Sequence, residues 1–146
     1  MSSPDAAAAP DGVPPEPAVG TIAWVDLTVE DAAAVSAFYA SVVGWRVVEH
    51  PMAGGYNDYV MADADGGPGA GVCWRRGPNA ALPPTWLPYV RVADLDASMS
   101  AVEAGGGSLV DGPRTGFAVV RDPAGAHLAL FDPHHSSADE VPADGG

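Results

Sequence analysis

Trp24-Val25-Asp26-Leu27-Thr28-Val29, running into Asp31 and an Ala-rich stretch, is written a second time as Leu87-Pro88-Tyr89-Val90-Arg91-Val92, running into Asp94 and another such stretch. The two aspartates stand 63 positions apart. The ends of the copies match as well, since Asp63-Ala64-Asp65-Gly66 and Asp122-Pro123-Ala124-Gly125 each follow an apolar strand and precede another. Self-similarity at a fixed spacing indicates architecture before any motif is weighed. Two copies are too few for a solenoid, so they are expected to pack as halves of one domain.

Outward from this pair, each copy resolves into the same elements. Residues 22–29 alternate as a strand does, and 31–43 place Val35, Phe38, Tyr39 and Val42 at helical spacing before a stop at Gly44. Asp31, or Thr28 before it, can cap that helix. Strands are expected at 45–50, 56–62 and 69–76, separated by Gly- and Pro-bearing turns. Residues 77–84 carry three prolines and cannot continue a ladder, so they read as a linker. A strand at 86–92, a helix at 94–104 stopped by Gly105-Gly106-Gly107, and strands near 108–111, 115–121 and 126–132 repeat the order. The expected fold class is α+β, built from two β-α-β-β-β modules at 20–76 and 85–132.

Composition bounds the rest. The chain has 146 residues, 47% of them apolar, enough for one domain with a real core. Residues 1–19 and 133–146 are rich in Ala, Pro and acid, and are expected to remain as disordered tails around a domain at 20–132. With a formal net charge of −13 and no lysine, nucleic acid and anionic membrane are not expected partners. Cys73 is alone, which excludes an internal disulfide and points to a reducing cytoplasm. No signal-peptide pattern opens the chain, and no apolar run approaches the length of a membrane span.

Strand alternation sorts the side chains into faces. Val25, Leu27 and Val29 are expected under the first helix, which turns Trp24, Asp26 and Thr28 to the other side. Val90 and Val92 likewise leave Tyr89 and Arg91 opposite the second helix, and Leu128 and Leu130 leave His127, Ala129 and Phe131. Two sheets so arranged would curve around a shared cavity lined by Trp24, Asp26, Thr28, Tyr89, Arg91, His127 and Phe131. Tyr59 and Trp74, with Tyr56, are further candidates whose register is open. Mostly aromatic and apolar walls with a few polar groups suit a small-molecule site, although strand aromatics more often pack a core.

The paired units, the Phe38-Tyr39 and Gly44-Trp45 pairs around the end of the first helix, and the Asp122-Pro123-Ala124-Gly125-Ala126 turn together resemble the vicinal oxygen chelate superfamily. That group contains glyoxalase, extradiol dioxygenases, fosfomycin resistance enzymes and bleomycin-binding proteins. The resemblance covers 20–132 and implies two modules forming a U-shaped cavity, often within a homodimer. In metal-dependent members it also implies a ligand, typically His, near the start of each module's first strand, and a Glu or His on each last strand. Those positions here are Trp24, Leu87 and Ala129, and the fourth strand contains no Asp, Glu or His, leaving only Cys73. A divalent site generally needs three or more protein ligands, so the expectation is a protein without metal or other cofactor.

Asp26 is then the sharpest candidate, either as a general base whose pKa an apolar surround would raise, or as the structural partner of Arg91 or Arg121. Arg91 can bind a ligand carboxylate, phenolate or enolate through its fork, or simply satisfy Asp26. His127 can move protons near neutrality or sit as a hydrogen-bonded rim residue. His50, at a strand end, and His134 and His135, in the tail, offer less; Cys73 reads as a small apolar filler. The leading expectation is binding of a hydrophobic, aromatic small molecule, with a use in sequestering a toxic natural product. The alternative is a metal-free isomerase, cyclase or lyase of secondary metabolism in which Asp26 or His127 moves the proton and Arg91 stabilises an oxyanion. A weaker alternative is a metal-dependent lyase or dioxygenase with Asp26 and His127 as ligands.

Overall fold

The computed structural model describes residues 16–135. Along the chain run β1 (Ile22–Val29), α1 (Ala32–Val43), β2 (Arg46–Met52), β3 (Tyr56–Ala62), β4 (Pro68–Trp74), a 3-10 turn (Gly77–Asn79), β5 (Leu87–Arg91), α2 (Leu95–Ala104), β6 (Ser108–Arg114), β7 (Phe117–Arg121) and β8 (His127–Phe131). This is the α+β fold of two β-α-β-β-β modules. Among the described residues no helix is long and apolar enough to cross a membrane.

The repeat survives at the level of single atoms. Asp31 Oδ1 accepts from the Ala34 N–H at 3.0 Å, and Asp94 Oδ1 from the Ala97 N–H at 3.1 Å, so an aspartate caps each helix. At the far turns Asp63 Oδ1 accepts from the Asp65 and Gly67 N–H groups, both at 2.9 Å. Asp122 Oδ1 accepts from Ala124 and Ala126 at 2.8 and 3.0 Å. Gly44 closes α1 in the left-handed region at φ 87°, where a Cβ would be strained.

The expected pair of sheets is in fact one eight-stranded sheet, ordered β2-β3-β4-β1-β5-β8-β7-β6. Each module keeps its first strand at an edge, where unpaired N–H and C=O groups need partners. Antiparallel pairing of β1 with β5 satisfies both edges and sets Trp24 against Tyr89 and Asp26 against Leu87.

Both helices pack on one side of this sheet. Under α1 lie Ala32, Met61 and Val72, with Val35, Tyr39, Trp45 and Trp86 around them; under α2 lie Leu95, Ala118, Val120 and Leu130. The apolar stripe of α1 is rotated from the expected one: Ala32 and Ser36 are buried while Phe38 and Val42 are exposed. Small residues let the helix sit close to the sheet, and Tyr39 reaches over to take a hydrogen bond from Trp86 Nε1 at 3.2 Å. Two tail assignments also change. Glu16 and Pro17 bind Arg91, and His134 and His135 pair with Glu16 and Asp96, so these residues join the fold. The rest of both tails, 1–15 and 136–146, lies outside the described residues.

Candidate functional site

On the side of the sheet without helices, the two modules differ. Module two is filled: Leu82, from the linker, is buried against Leu87, Val119 and Ala129, with Tyr89, Val110 and Phe117 packed around them. Module one is open. A cavity of about 270 Å³ lies against Trp24, Asp26, His50, Met52, Asp58, Tyr59, Val60, Gly71 and Cys73. The expected cavity shared between the halves is therefore confined to one of them, because the linker folds back over the other.

The register explains which side chains meet there. Asp26 pairs with Gly71 and Thr28 with Cys73 across β1 and β4, so all four share a face. His50 pairs with Asp58 across β2 and β3. Trp24 Nε1 donates to Asp26 Oδ1 at 2.6 Å. The Tyr89 hydroxyl, brought from module two by the β1–β5 pairing, faces the same carboxylate as a second donor. Gly71 makes the arrangement sterically feasible, since a Cβ there would overlap Asp26 Oδ1 and lie 3.3 Å from Trp24 Nε1.

Burial pushes the Asp26 carboxyl above the usual aspartate range; the Trp24 and Tyr89 donors pull against that, and the Asp58 charge adds to it. Asp58 is fixed by the Trp74 backbone N–H, which donates to its Oδ1 at 3.1 Å. Burial first, then the charges of Asp26 and Asp58, raise the Cys73 thiol far above its ordinary value, which holds it protonated and unsuited to nucleophilic attack. Tyr89 is likewise raised by burial and by Asp26, so it stays a phenol and a donor.

Other expected site residues go elsewhere. Arg91 is on the predicted face but at the far end of β5, paired with Phe131 of β8. It meets Glu16 Oε1 at 3.2 Å and the Pro17 carbonyl at 3.1 Å, and not Asp26, which lies opposite Leu87, four residues back along the strand. Trp74 is a correction: it packs with the core under α1, its Nε1 donating to the Asn57 carbonyl at 2.9 Å. The Tyr59 side chain joins that core too, so the residue meets the cavity only at its margin. His127 opens β8 opposite Arg121 and lines a separate 470 Å³ groove beside α2. Phe131 lies on β8 between Arg91 and Phe117 of the flanking strands. Thr28 is buried beside Cys73. Of the expected set, Trp24, Asp26 and Tyr89 meet at one point.

The sequence ranks His50 and Cys73 low and does not single out Asp58 or Gly71. Pro51 reads as the end of β2 at His50, but β2 is an edge strand, where a proline is tolerated, and it runs on to Met52. The Gly54-Gly55 turn was the available signal, because it pairs Met52 with Tyr56 and thereby His50 with Asp58. A further cation was missed in module two, where Arg114 pairs with Asp111 and lies 4.9 Å over the Phe117 ring, itself 5.9 Å from Tyr89.

The metal positions implied by the superfamily resemblance are Trp24, Leu87, Ala129 and the module-one counterpart of Ala129. Ala129 pairs with Tyr89, two residues after Leu87, and Gly71 pairs with Asp26, two residues after Trp24, so Gly71 is the module-one counterpart of Ala129. Trp24, Gly71, Leu87 and Ala129 offer no metal donor, and the Asp26 carboxylate fills the space over Gly71. Among the described residues no group of three or more His, Cys, Asp or Glu side chains could hold an ion. The donor set does not fit the superfamily's metal.

Residues 23–131 match the family model described as a glyoxalase-like domain, and the chain belongs to that family, within the vicinal oxygen chelate superfamily. Among curated proteins it is 35% identical over 120 residues to "Putative glyoxylase CFP32" of Mycobacterium tuberculosis and of Mycobacterium bovis, covering 77% of this chain and 45% of the relative. The chain thus spans less than half the length of those relatives. Among solved structures, Streptomyces coelicolor methylmalonyl-CoA epimerase aligns at 17% identity and a TM-score of 0.48, over 81% of this chain and all of the other. A glyoxalase/bleomycin resistance protein/dioxygenase superfamily member from Vibrio splendidus aligns at 16% identity and 0.46, over 75% and 96%.

Proposed function

We propose that this chain is a metal-independent, small-molecule-binding member of the glyoxalase-like family, and that its ligand occupies the module-one cavity over Trp24 and Asp26. The observation that carries the reading is the Trp24–Asp26 pair at 2.6 Å, a hydrogen-bonded carboxylate lying over Gly71, at a position where metal-dependent relatives would need a ligand. An indole wall, Met52 and Val60 supply apolar surface, and the carboxylate supplies orientation. Binding of this kind suits sequestration of a hydrophobic, aromatic compound. Native mass spectrometry of freshly purified protein tests it: a metal-free mass, with or without an organic adduct, is expected. A stoichiometric divalent ion whose removal by chelator abolishes ligand binding would overturn it.

A second reading is favoured by one observation, the burial that raises the Asp26 carboxyl beside an open cavity. A carboxylate of that kind is suited to act as a general base in a metal-free isomerase, cyclase or lyase. Tyr89 would then donate to the developing charge in place of Arg91, which Glu16 engages. Asp26→Asn should abolish turnover while leaving substrate affinity within about threefold, because the isostere keeps an oxygen for Trp24 Nε1. Wild-type turnover in that variant removes Asp26 as base.

A further inference from the structure

Two carboxylates meet the module-one cavity, Asp26 from β1 and Asp58 from β3, and each charge opposes the other. Like charges in a partly dry site are costly unless a counter-charge is near. The chain cannot readily supply one. It has no lysine, and all six arginines are placed away from the cavity lining. Arg75 pairs with Glu30 at 2.8 Å, Arg91 with Glu16 at 3.2 Å, and Arg114 with Asp111. Arg76 stacks 3.8 Å over the Tyr56 ring, Arg46 begins β2 near the Gly66 turn, and Arg121 is exposed on β7. The one basic side chain in the lining is the imidazole of His50, on β2. Cys73 on β4 and Tyr89 on β5, which complete the groups facing Asp26, are neutral donors.

We infer that the cavity takes a small aromatic amine in its protonated form, its ammonium between the Asp26 and Asp58 carboxylates and its ring against the Trp24 indole. This rests on the binding reading above and deepens it by naming the ligand's charge. An ammonium supplies several donors to carboxylate oxygens and supplies the missing counter-charge. An indole face attracts both an aromatic ring and a cation. The volume, about 270 Å³, is slightly below the ~300 Å³ at which drug-sized pockets begin, which suits one ring with a short amine tail. The site also reverses the polarity expected from the sequence, where Arg91 was the candidate for binding a ligand oxyanion.

Three probes of matched shape test this on the full chain by calorimetry and tryptophan fluorescence near neutral pH: 2-phenylethylamine, 2-phenylethanol and 3-phenylpropionate. The amine is expected to bind about tenfold more tightly than the alcohol, and the carboxylate more weakly than either. Asp58→Asn, which keeps an oxygen for the Trp74 N–H and so preserves the fold, should remove most of the amine's advantage over the alcohol. An amine no tighter than the alcohol, or a carboxylate that binds best, overturns the charge assignment while the cavity remains a binding site. Failure of all three to bind overturns the cavity reading and this inference with it.

Discussion

Asp26 shows how far one side chain's setting depends on its neighbours. Its folded pKa is raised, first by burial, so between the ordinary aspartate value and that raised value the folded state keeps a proton that the unfolded chain has released. The resulting stability is fully present below the ordinary value and is lost as pH rises through the raised one. Asp26→Asn removes this dependence. Urea unfolding of both proteins at pH 4 and pH 7 should therefore show the stability difference moving in favour of the variant at the higher pH; an unchanged difference would mean that burial does not govern this group. Gly71 is the other half of the same geometry. Gly71→Ala places a methyl where Asp26 Oδ1 lies, and should cost about 1–3 kcal/mol in unfolding free energy. It should also weaken ligand binding by at least about tenfold, because the carboxylate has to swing out of the site. Gly71 could not be singled out from the sequence: it is one of 18 glycines, and only the β1–β4 register identifies its partner.

At the scale of elements, the most legible features were local ones. Helix caps at Asp31 and Asp94 and the turns at Asp63 and Asp122 depend on side chains binding backbone groups two to four residues away, so sequence spacing alone reveals them. Their matched geometry has a quantitative consequence. Asp63→Ala and Asp122→Ala each remove an acceptor of two backbone N–H groups, and each should cost about 1–2 kcal/mol. The two losses should agree to within about 0.5 kcal/mol in urea titrations and should add in the double variant, since the turns belong to different modules and share no partner. Unequal losses would show that the internal repeat is one of shape and not of energetics. Orientation was less legible. Trp24, Asp26, Thr28, Tyr89, Arg91 and Phe131 lie on the face that alternation assigns them, yet Arg91 sits too far along β5 to meet Asp26. Alternation gives the side of a sheet, and only strand pairing gives position along it.

The whole molecule departs from its own symmetry in one place, the linker. Residues 77–84 have no counterpart within either module, and their Leu82 is buried 94% against Leu87, Val119 and Ala129. No periodicity marks that leucine as core, because it lies among prolines in a connecting loop whose path depends on what it finds to cover. Module two has an apolar helix-free face, so the loop packs there; module one presents Asp26, His50 and Asp58, so its face stays open. The linker thereby leaves one filled half and one open half. Leu82→Ala should cost about 2–5 kcal/mol, the range for truncating a fully packed leucine. If the halves act separately, probe binding in module one will survive within about threefold in the folded variant, since the nearest shared group is Tyr89, which keeps its place opposite Trp24 through the strand pairing. Thermal unfolding measures the first effect and calorimetry the second. A large loss of affinity in folded Leu82→Ala protein would instead show that the plug holds Tyr89 against Asp26, making the linker part of the site.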